Sequence, residues 1–214
     1  MAINYSIQAE VVDITTDTPK AGDAFLVDTN VWYWLTYSRA SLSARPPAYY
    51  QASIYPNYMN SVLASGAGVF NSGLSLAELT HLIEKAEYEI FAQANPAIFP
   101  DPNKFDKNFR HDRNNERRQA VAEIDSVWAQ IAGMASESLI VSIDSPTTTA
   151  ALNRLQTEKV DGYDLFILES MKHSGVAQII TDDGDFATVP GIQVFTANRN
   201  VLQAANVQGK SVTR

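Results

Sequence analysis

Cysteine is missing altogether from this 214-residue chain. That removes a disulfide framework, a thiolate metal site and a cysteine nucleophile at one stroke. It fits a reducing compartment, so the cytoplasm is the expected location. No run of about 18 apolar residues occurs, so no membrane span is expected. The stretch Met1–Lys20 is polar and acidic, without a basic start followed by an apolar segment, and does not read as a secretory signal. Histidine is scarce: His81, His111 and His173 share no metal-ligand spacing, which counts against a zinc site. The patterns GxxxxGK[ST], GxGxxG and GxSxG are absent, leaving P-loop, dinucleotide and serine-hydrolase readings without their motifs. Positive charge is in deficit as well, with 16 Lys and Arg against 24 Asp and Glu and a net charge of -8. A surface that holds nucleic acid by its field alone is usually basic, so broad non-specific binding is disfavoured. An enzyme whose acids hold cations against phosphate is not.

What is present is enough apolar material, 45% of residues, for one domain with a sizeable core. Short β-prone runs at 24–28, 68–70, 139–143, 178–181 and 192–195 read as strands. Between them, apolar residues recur at three- and four-residue steps: Leu76, Leu79, Leu82, Ile83, Ala86 and Ile90 in one helix, and Ala120, Val121, Ile124, Val127, Trp128 and Ile131 in another, from about 115 to 136. A third long helix covers 161–173 and is closed by Ser174-Gly175. Ser145-Pro146 opens a further helix, with Ser as the cap. Strands alternating with helices predict an α/β fold with a mostly parallel sheet covered on both faces. Residues 1–22 read as a polar, extended lead-in. Pro46, Pro47 and Pro56 predict an irregular connection over 40–57, with a short helix only from Tyr58 to Ala67. The core domain is expected over 23–198, with a loop insertion at about 95–118 and a tail at 199–214.

Four acids sit at the ends of these apolar segments. Asp28 ends Ala24-Phe25-Leu26-Val27, and Asp183 follows Gln178-Ile179-Ile180-Thr181, so both belong just past the carboxyl end of a strand. Glu78 and Asp164 open helical patterns. In open parallel sheets ligands bind outside the carboxyl ends of the strands. Carboxylates gathered there from four segments repel one another unless a divalent cation lies among them. Oxygen-only ligation points to Mg²⁺ or Mn²⁺ rather than Zn²⁺. Each piece also has a plain structural explanation. Ser75-Leu76-Ala77-Glu78 fits a capping box. Asp161 fits an N-cap, and Asp182-Asp183-Gly184-Asp185 on its own would be an ordinary turn. Asp164 is harder to explain that way, because Leu165, Ile167 and Leu168 carry it into a buried helix where a carboxylate needs a partner.

Taken in order, Phe25-Leu26-Val27-Asp28-Thr29-Asn30-Val31, Ser75-Leu76-Ala77-Glu78-Leu79, Asp164-Leu165-Phe166-Ile167 and Thr181-Asp182-Asp183-Gly184-Asp185-Phe186 resemble the PIN-domain ribonucleases. These include the VapC-like toxins of prokaryotic toxin–antitoxin pairs. The resemblance implies a three-layer α/β/α sandwich and a Mg²⁺- or Mn²⁺-dependent endoribonuclease. Its catalytic and metal-binding quartet would be Asp28, Glu78, Asp164 and Asp183, with Asp185 as a peripheral acid. Asp183 is preferred to Asp182 on the family spacing Thr-x-Asp-x-Asp-Phe. Thr29, Asn30 and Thr181 would orient ligands or water. RNA is the implied partner, with a cognate antitoxin protein and a homodimer as further expectations. The basic cluster at 110–118 adds Arg113, Arg117 and Arg118 as an RNA-contact surface, beside the plainer reading of a solvated helix start. Two rivals stand against the nuclease. One is a fold-retaining, non-catalytic RNA- or protein-binding module. The other is a different Mg-dependent phosphate hydrolase, although Asn30 occupies the position where a haloacid-dehalogenase-type enzyme needs a second Asp.

Overall fold

A computed structural model describes residues 4–160 and 162–214. Its six strands are β1 (Glu10–Asp13), β2 (Ala24–Val27), β3 (Gly68–Ser72), β4 (Glu137–Leu139), β5 (Gln178–Ile180) and β6 (Gln193–Thr196). They form one sheet in the order β1-β6-β5-β2-β3-β4, and every pairing is parallel. Eight α-helices accompany them among the described residues: α1 (Thr29–Thr36), α2 (Tyr49–Ser65), α3 (Ser75–Ala94), α4 (Lys107–Asp112), α5 (Asn114–Met134), α6 (Ser145–Thr157), α7 (Gly162–Ser174) and α8 (Arg199–Val207). This is the expected α/β/α sandwich, with a sheet that is parallel throughout.

Side-chain alternation along the strands divides the core in two. Phe25 and Val27 of β2, with Val69, Ile180 and Phe195, face a layer that includes Trp32 of α1, Met59 of α2, Ile83 of α3 and Ile131 of α5. Leu26, Ile179 and Val194 point the other way, onto Ala151 of α6 and Leu168 and Met171 of α7. Both faces of the central strands are therefore buried, which is why they read as unbroken apolar runs. Phe25 and Phe195 meet edge to face at 4.8 Å and 82°. Such a pair adds about 0.5–1.5 kcal/mol beyond its buried area.

Two stretches read as peripheral are built into the sheet layers. The lead-in carries β1, which pairs with β6, and it buries Ile7, Ala9, Val11 and Val12. The tail carries α8, capped by the Asn198 side chain and packed through Val201 and Ala205 against Ile7 and Val11. Of the connection expected to be irregular over 40–57, the part to Ala48 holds only a 3-10 turn at Ala40–Leu42, but from Tyr49 the chain is α2, which runs through Pro56. An interior proline costs a helix about 3 kcal/mol. Burial of Tyr55, Tyr58, Met59 and Val62 on one face outweighs that, at about 1.5–3 kcal/mol for each large side chain. The strand expected at 139–143 covers only Glu137–Leu139, and Ile140 and Ile143 are exposed beyond it. At α6 the cap is Asp144, one residue earlier than expected, whose carboxylate accepts from the Thr147 amide at 2.9 Å.

The 95–118 insertion is more than a loop. It contains α4 and forms a small aromatic core of its own, with Phe99 and Phe109 packed on Tyr88 and Ala92 of α3. The Tyr88 hydroxyl donates to the carbonyls of Lys104 (2.8 Å) and Asp101 (3.1 Å) and pins the insertion to α3. No helix among the described residues is long and apolar enough to cross a membrane.

Candidate active site

The chain runs from β2 to β3 in one direction across the sheet and from β5 to β6 in the other. Strands β2 and β5 are neighbours, so the crevice at their carboxyl ends is the topological switch point where ligands bind in such sheets. Asp28 leaves β2 there. Its amide still donates to the Ile180 carbonyl at 3.0 Å, so the sheet ladder fixes it. Thr181 leaves β5 at the same level, its amide donating to the Phe195 carbonyl at 3.1 Å.

Thr181 joins the two strand ends. Its hydroxyl donates to Asp28 Oδ2 at 2.7 Å and accepts from the Asp183 amide at 2.9 Å. Asp183 Oδ1 in turn accepts from the Asp185 amide at 2.8 Å. Glu78, in the first turn of α3, accepts from the Thr29 hydroxyl at the start of α1. The capping box expected at this helix does not form. Leu74 is the N-cap residue, the Ser75 hydroxyl accepts from the Ser72 amide at 3.3 Å, and Glu78 is left to the site. Asp164 lies in the first turn of α7, one turn before Ile167, which lines a small crevice with Asp28, Ser72 and Ser75. Asp161, the expected cap of α7, lies outside the described residues.

Electrostatics single out Asp28. Burial pushes its carboxyl up to about 7, against the opposing hydrogen bond from Thr181, and the nearby charges of Asp183 and Glu78 raise it further. Burial also raises Glu78, with the Thr29 hydroxyl opposing. Among the described residues no cation pairs with Asp28 or Glu78. A buried carboxylate beside like charges, with no basic partner, marks a place short of positive charge. An all-oxygen donor set of this kind suits Mg²⁺ or Mn²⁺. Among the described residues, however, no three His, Asp or Glu side chains stand close enough to hold one ion as they are. Asp28, Glu78 and Asp183 share a field without sharing a ligation sphere.

Asp182 faces away from that field. It accepts from the Tyr50 hydroxyl (2.9 Å), the Gln51 amide (2.7 Å) and the Tyr55 hydroxyl (2.7 Å), all on α2, while its carbonyl accepts from Asn198 Nδ2 at 2.8 Å. Three donors on one carboxylate make it an anchor for the loop, and this separates it from Asp183. On the opposite side the Tyr5 ring lies against Gly184. A Cβ at Gly184 would come within 2.3 Å of Tyr5 Cζ. Burial, and then the charges of Asp185, Asp183 and Asp182, raise the Tyr5 phenol. Neither Tyr5 nor the Tyr50–Gln51–Tyr55 set is legible in the sequence as part of the site. The one signal there is the density of tyrosine around residue 50, and it says nothing about what those rings touch.

The Arg110–Arg118 cluster is largely occupied. Arg110 and Arg117 both pair with buried Glu84, Arg113 lies over the rings of Phe91 and Phe99, and exposed Arg118 donates to Asn115.

A family model described as PIN domain matches residues 25–192, a span that includes Asp28, Glu78, Asp164 and Asp183 and strands β3, β4 and β5. The chain belongs to the PIN-domain family. No curated protein and no solved structure gave a match. PIN domains are in general nucleases, so the chain has a nuclease-type fold.

Proposed function

We propose that this PIN domain is an endoribonuclease that hydrolyses RNA phosphodiester bonds with Mg²⁺ or Mn²⁺. Asp28, Glu78, Asp164 and Asp183 would hold the ion, with Asp185 at its edge and Thr29, Asn30 and Thr181 in support. One observation carries the reading: Asp28 is buried at the end of a central strand, its pKa lifted to about 7, with carboxylates for neighbours and no cation paired with it among the described residues. Held by these carboxylates, a divalent ion would supply the missing positive charge and the Lewis acidity that activates water and steadies a leaving oxygen. The chain's own groups prepare the place. Thr181 fixes the rotamer of Asp28, Thr29 that of Glu78, and α2 holds the 181–185 loop through Asp182.

The rival with an observation behind it is the non-catalytic module, because the described acids stand too far apart to share an ion as they are. A phosphomonoesterase draws less support, since the second Asp of an Asp-x-Asp pair is replaced by Asn30. Incubation with a labelled single-stranded RNA and with p-nitrophenyl phosphate, each with Mn²⁺ or with chelator, separates the three. The nuclease cuts only the RNA and only with metal, the phosphatase releases nitrophenol, and the module does neither.

A toxin role, an antitoxin partner, a homodimer and a cytoplasmic site of action belong to the VapC-like form of this proposal. Growth arrest on induction, relieved by Asp28→Asn, tests the first, and light scattering of the purified chain tests the dimer. RNA contact by the basic cluster is also a proposal. Its weight falls on Arg118, because Arg113 and Arg117 already have fixed partners.

A further inference from the structure

Next to the acidic crevice lies a groove of about 230 Å³, bounded by α1, α3 and the segment before α2. Asn30, Tyr33, Trp34, Arg45, Gln51 and Lys85 line it. It adjoins the site through α1: Asn30 on its wall is the second residue after Asp28, the N-cap of that helix. Gln51 on the same wall donates at 2.7 Å to Asp182, the loop anchor next to Asp183 in sequence. On α3 the residues Glu78, Leu82 and Lys85 fall at steps of four and three, hence on one helix face. Leu82 and Lys85 border the groove, and Lys85 stands about 10 Å along the helix from Glu78.

Lys85 and Arg45 carry their charge into the groove without an ion pair among the described residues. Arg39, Arg110, Arg117, Arg154 and Arg214 are all committed to ion pairs with carboxylates. Lys85 is half-buried and makes no ion pair among the described residues. Exposed Arg45 has one hydrogen bond among them, from Nε to Asn103 Oδ1 at 3.1 Å, which leaves its terminal nitrogens uncommitted. The carboxylate on the groove wall, Glu89, is already used, accepting from the Ala44 amide at 3.0 Å. Half-buried Trp34 packs one side on Tyr55, 5.3 Å between ring centroids, and also borders the groove. An uncommitted cation pair beside an indole is the combination that binds unpaired nucleotides, by phosphate contact and by stacking.

We propose that this groove seats an unpaired nucleotide of single-stranded RNA adjoining the scissile bond, with Lys85 and Arg45 on its phosphates and Trp34 against its base. The inference rests on the nuclease reading for the position of that bond, but it is tested by binding.

The test is fluorescence anisotropy with a fluorescein-labelled single-stranded oligoribonucleotide in Mg²⁺, using protein that carries Asp28→Asn so the strand stays whole. Lys85→Gln with Arg45→Gln should weaken binding about tenfold and reduce the log–log salt slope by roughly 1.4, or 0.7 for each phosphate no longer neutralised. Trp34→Leu should weaken binding about tenfold with the salt slope unchanged. A control pair of equal charge, Lys20→Gln with Lys172→Gln, lies toward the opposite ends of the strands and should bind as the parent does. Equal affinity and slope for the groove pair and the control pair overturns the proposal. Equal affinity for a duplex of the same sequence also overturns it, because a paired base cannot enter the groove. The two readings fail separately. A wild-type protein that binds the strand through Lys85 and Arg45 yet never cuts it sinks the nuclease and keeps the groove. One that cuts RNA while the groove pair binds like the control does the reverse.

Discussion

Replacing Asp28 by Asn should stabilise the metal-free protein at neutral pH and cease to do so in acid. Burial, and then Asp183 and Glu78, raise the folded-state pKa of Asp28 from its ordinary 3.8 to about 7. The folded state therefore binds a proton more tightly than the unfolded chain. The stability associated with that proton is fully present below about pH 4 and is lost as pH rises through 7. At 1.36 kcal/mol per unit the ceiling is roughly 4 kcal/mol. Local relaxation and water entry halve such figures readily, so about 2 kcal/mol is the working expectation, or some 4–8 °C in Tm for a chain of this size. Asn keeps an acceptor for the Thr181 hydroxyl and removes the charge, so the variant should lack this pH dependence. The assay is thermal and urea unfolding in chelator at pH 5 and pH 8. Asp28→Asn should melt higher than wild type at pH 8, with the gap less than about half as large at pH 5. A variant that melts lower than wild type at both pH values, or a gap of the same size at both, would refute the claim that Asp28 is a buried charge without a cation.

The other expectations use the same side chains. Millimolar Mn²⁺ or Mg²⁺ should raise the wild-type Tm at pH 8, by an amount equivalent to about 2.7 kcal/mol at 100 times Kd. Asp183→Asn together with Glu78→Gln should abolish that response, and a metal-blind wild type counts against the site. Tyr55→Phe removes the hydroxyl that bonds Asp182, the Thr181 carbonyl and the Ala197 amide, so it should cost about 1–3 kcal/mol in urea unfolding and also weaken the Mn²⁺ response. Loss of stability with an intact Mn²⁺ response would reduce α2 to a structural role. Gly184→Ala places a Cβ in the Tyr5 ring. It should displace Tyr5 and change its fluorescence or its ring NMR signals, and unchanged signals would contradict the contact.

The site is legible in the sequence where chemistry and period coincide. Asp28 and Asp183 each follow an apolar run buried on both faces, and that pattern places a residue at a strand's carboxyl end without knowledge of its neighbours. It does not tell which acid of the Asp182-Asp183 pair faces inward. That depends on Tyr50, Gln51 and Tyr55, which lie over 120 residues earlier in a helix that Pro56 hides. Strand β1 escapes for a different reason: it is four residues long, and its two buried residues, Val11 and Val12, stand between the acids Glu10 and Asp13. The Ser75–Glu78 spacing fits a capping box, yet Thr29 gives Glu78 a partner from another element, and local pattern cannot weigh a tertiary donor against a local one. For the arginine cluster, sequence shows the charge but not its partners. Buried Glu84 takes up two of those guanidinium groups.

Cleavage of a labelled single-stranded RNA by the purified chain, with and without Mn²⁺ and with and without Asp183→Asn, bears most directly on the central claim. Asp183 is the right position to change, because it lies at the site's half-exposed edge and its replacement leaves the Asp182 anchor in place. Wild type should cut in Mn²⁺ and not in chelator, and the variant should lose at least about a hundredfold while its unfolding curve stays close to wild type. Cutting that persists in chelator, or a variant that cuts at the wild-type rate, would contradict it.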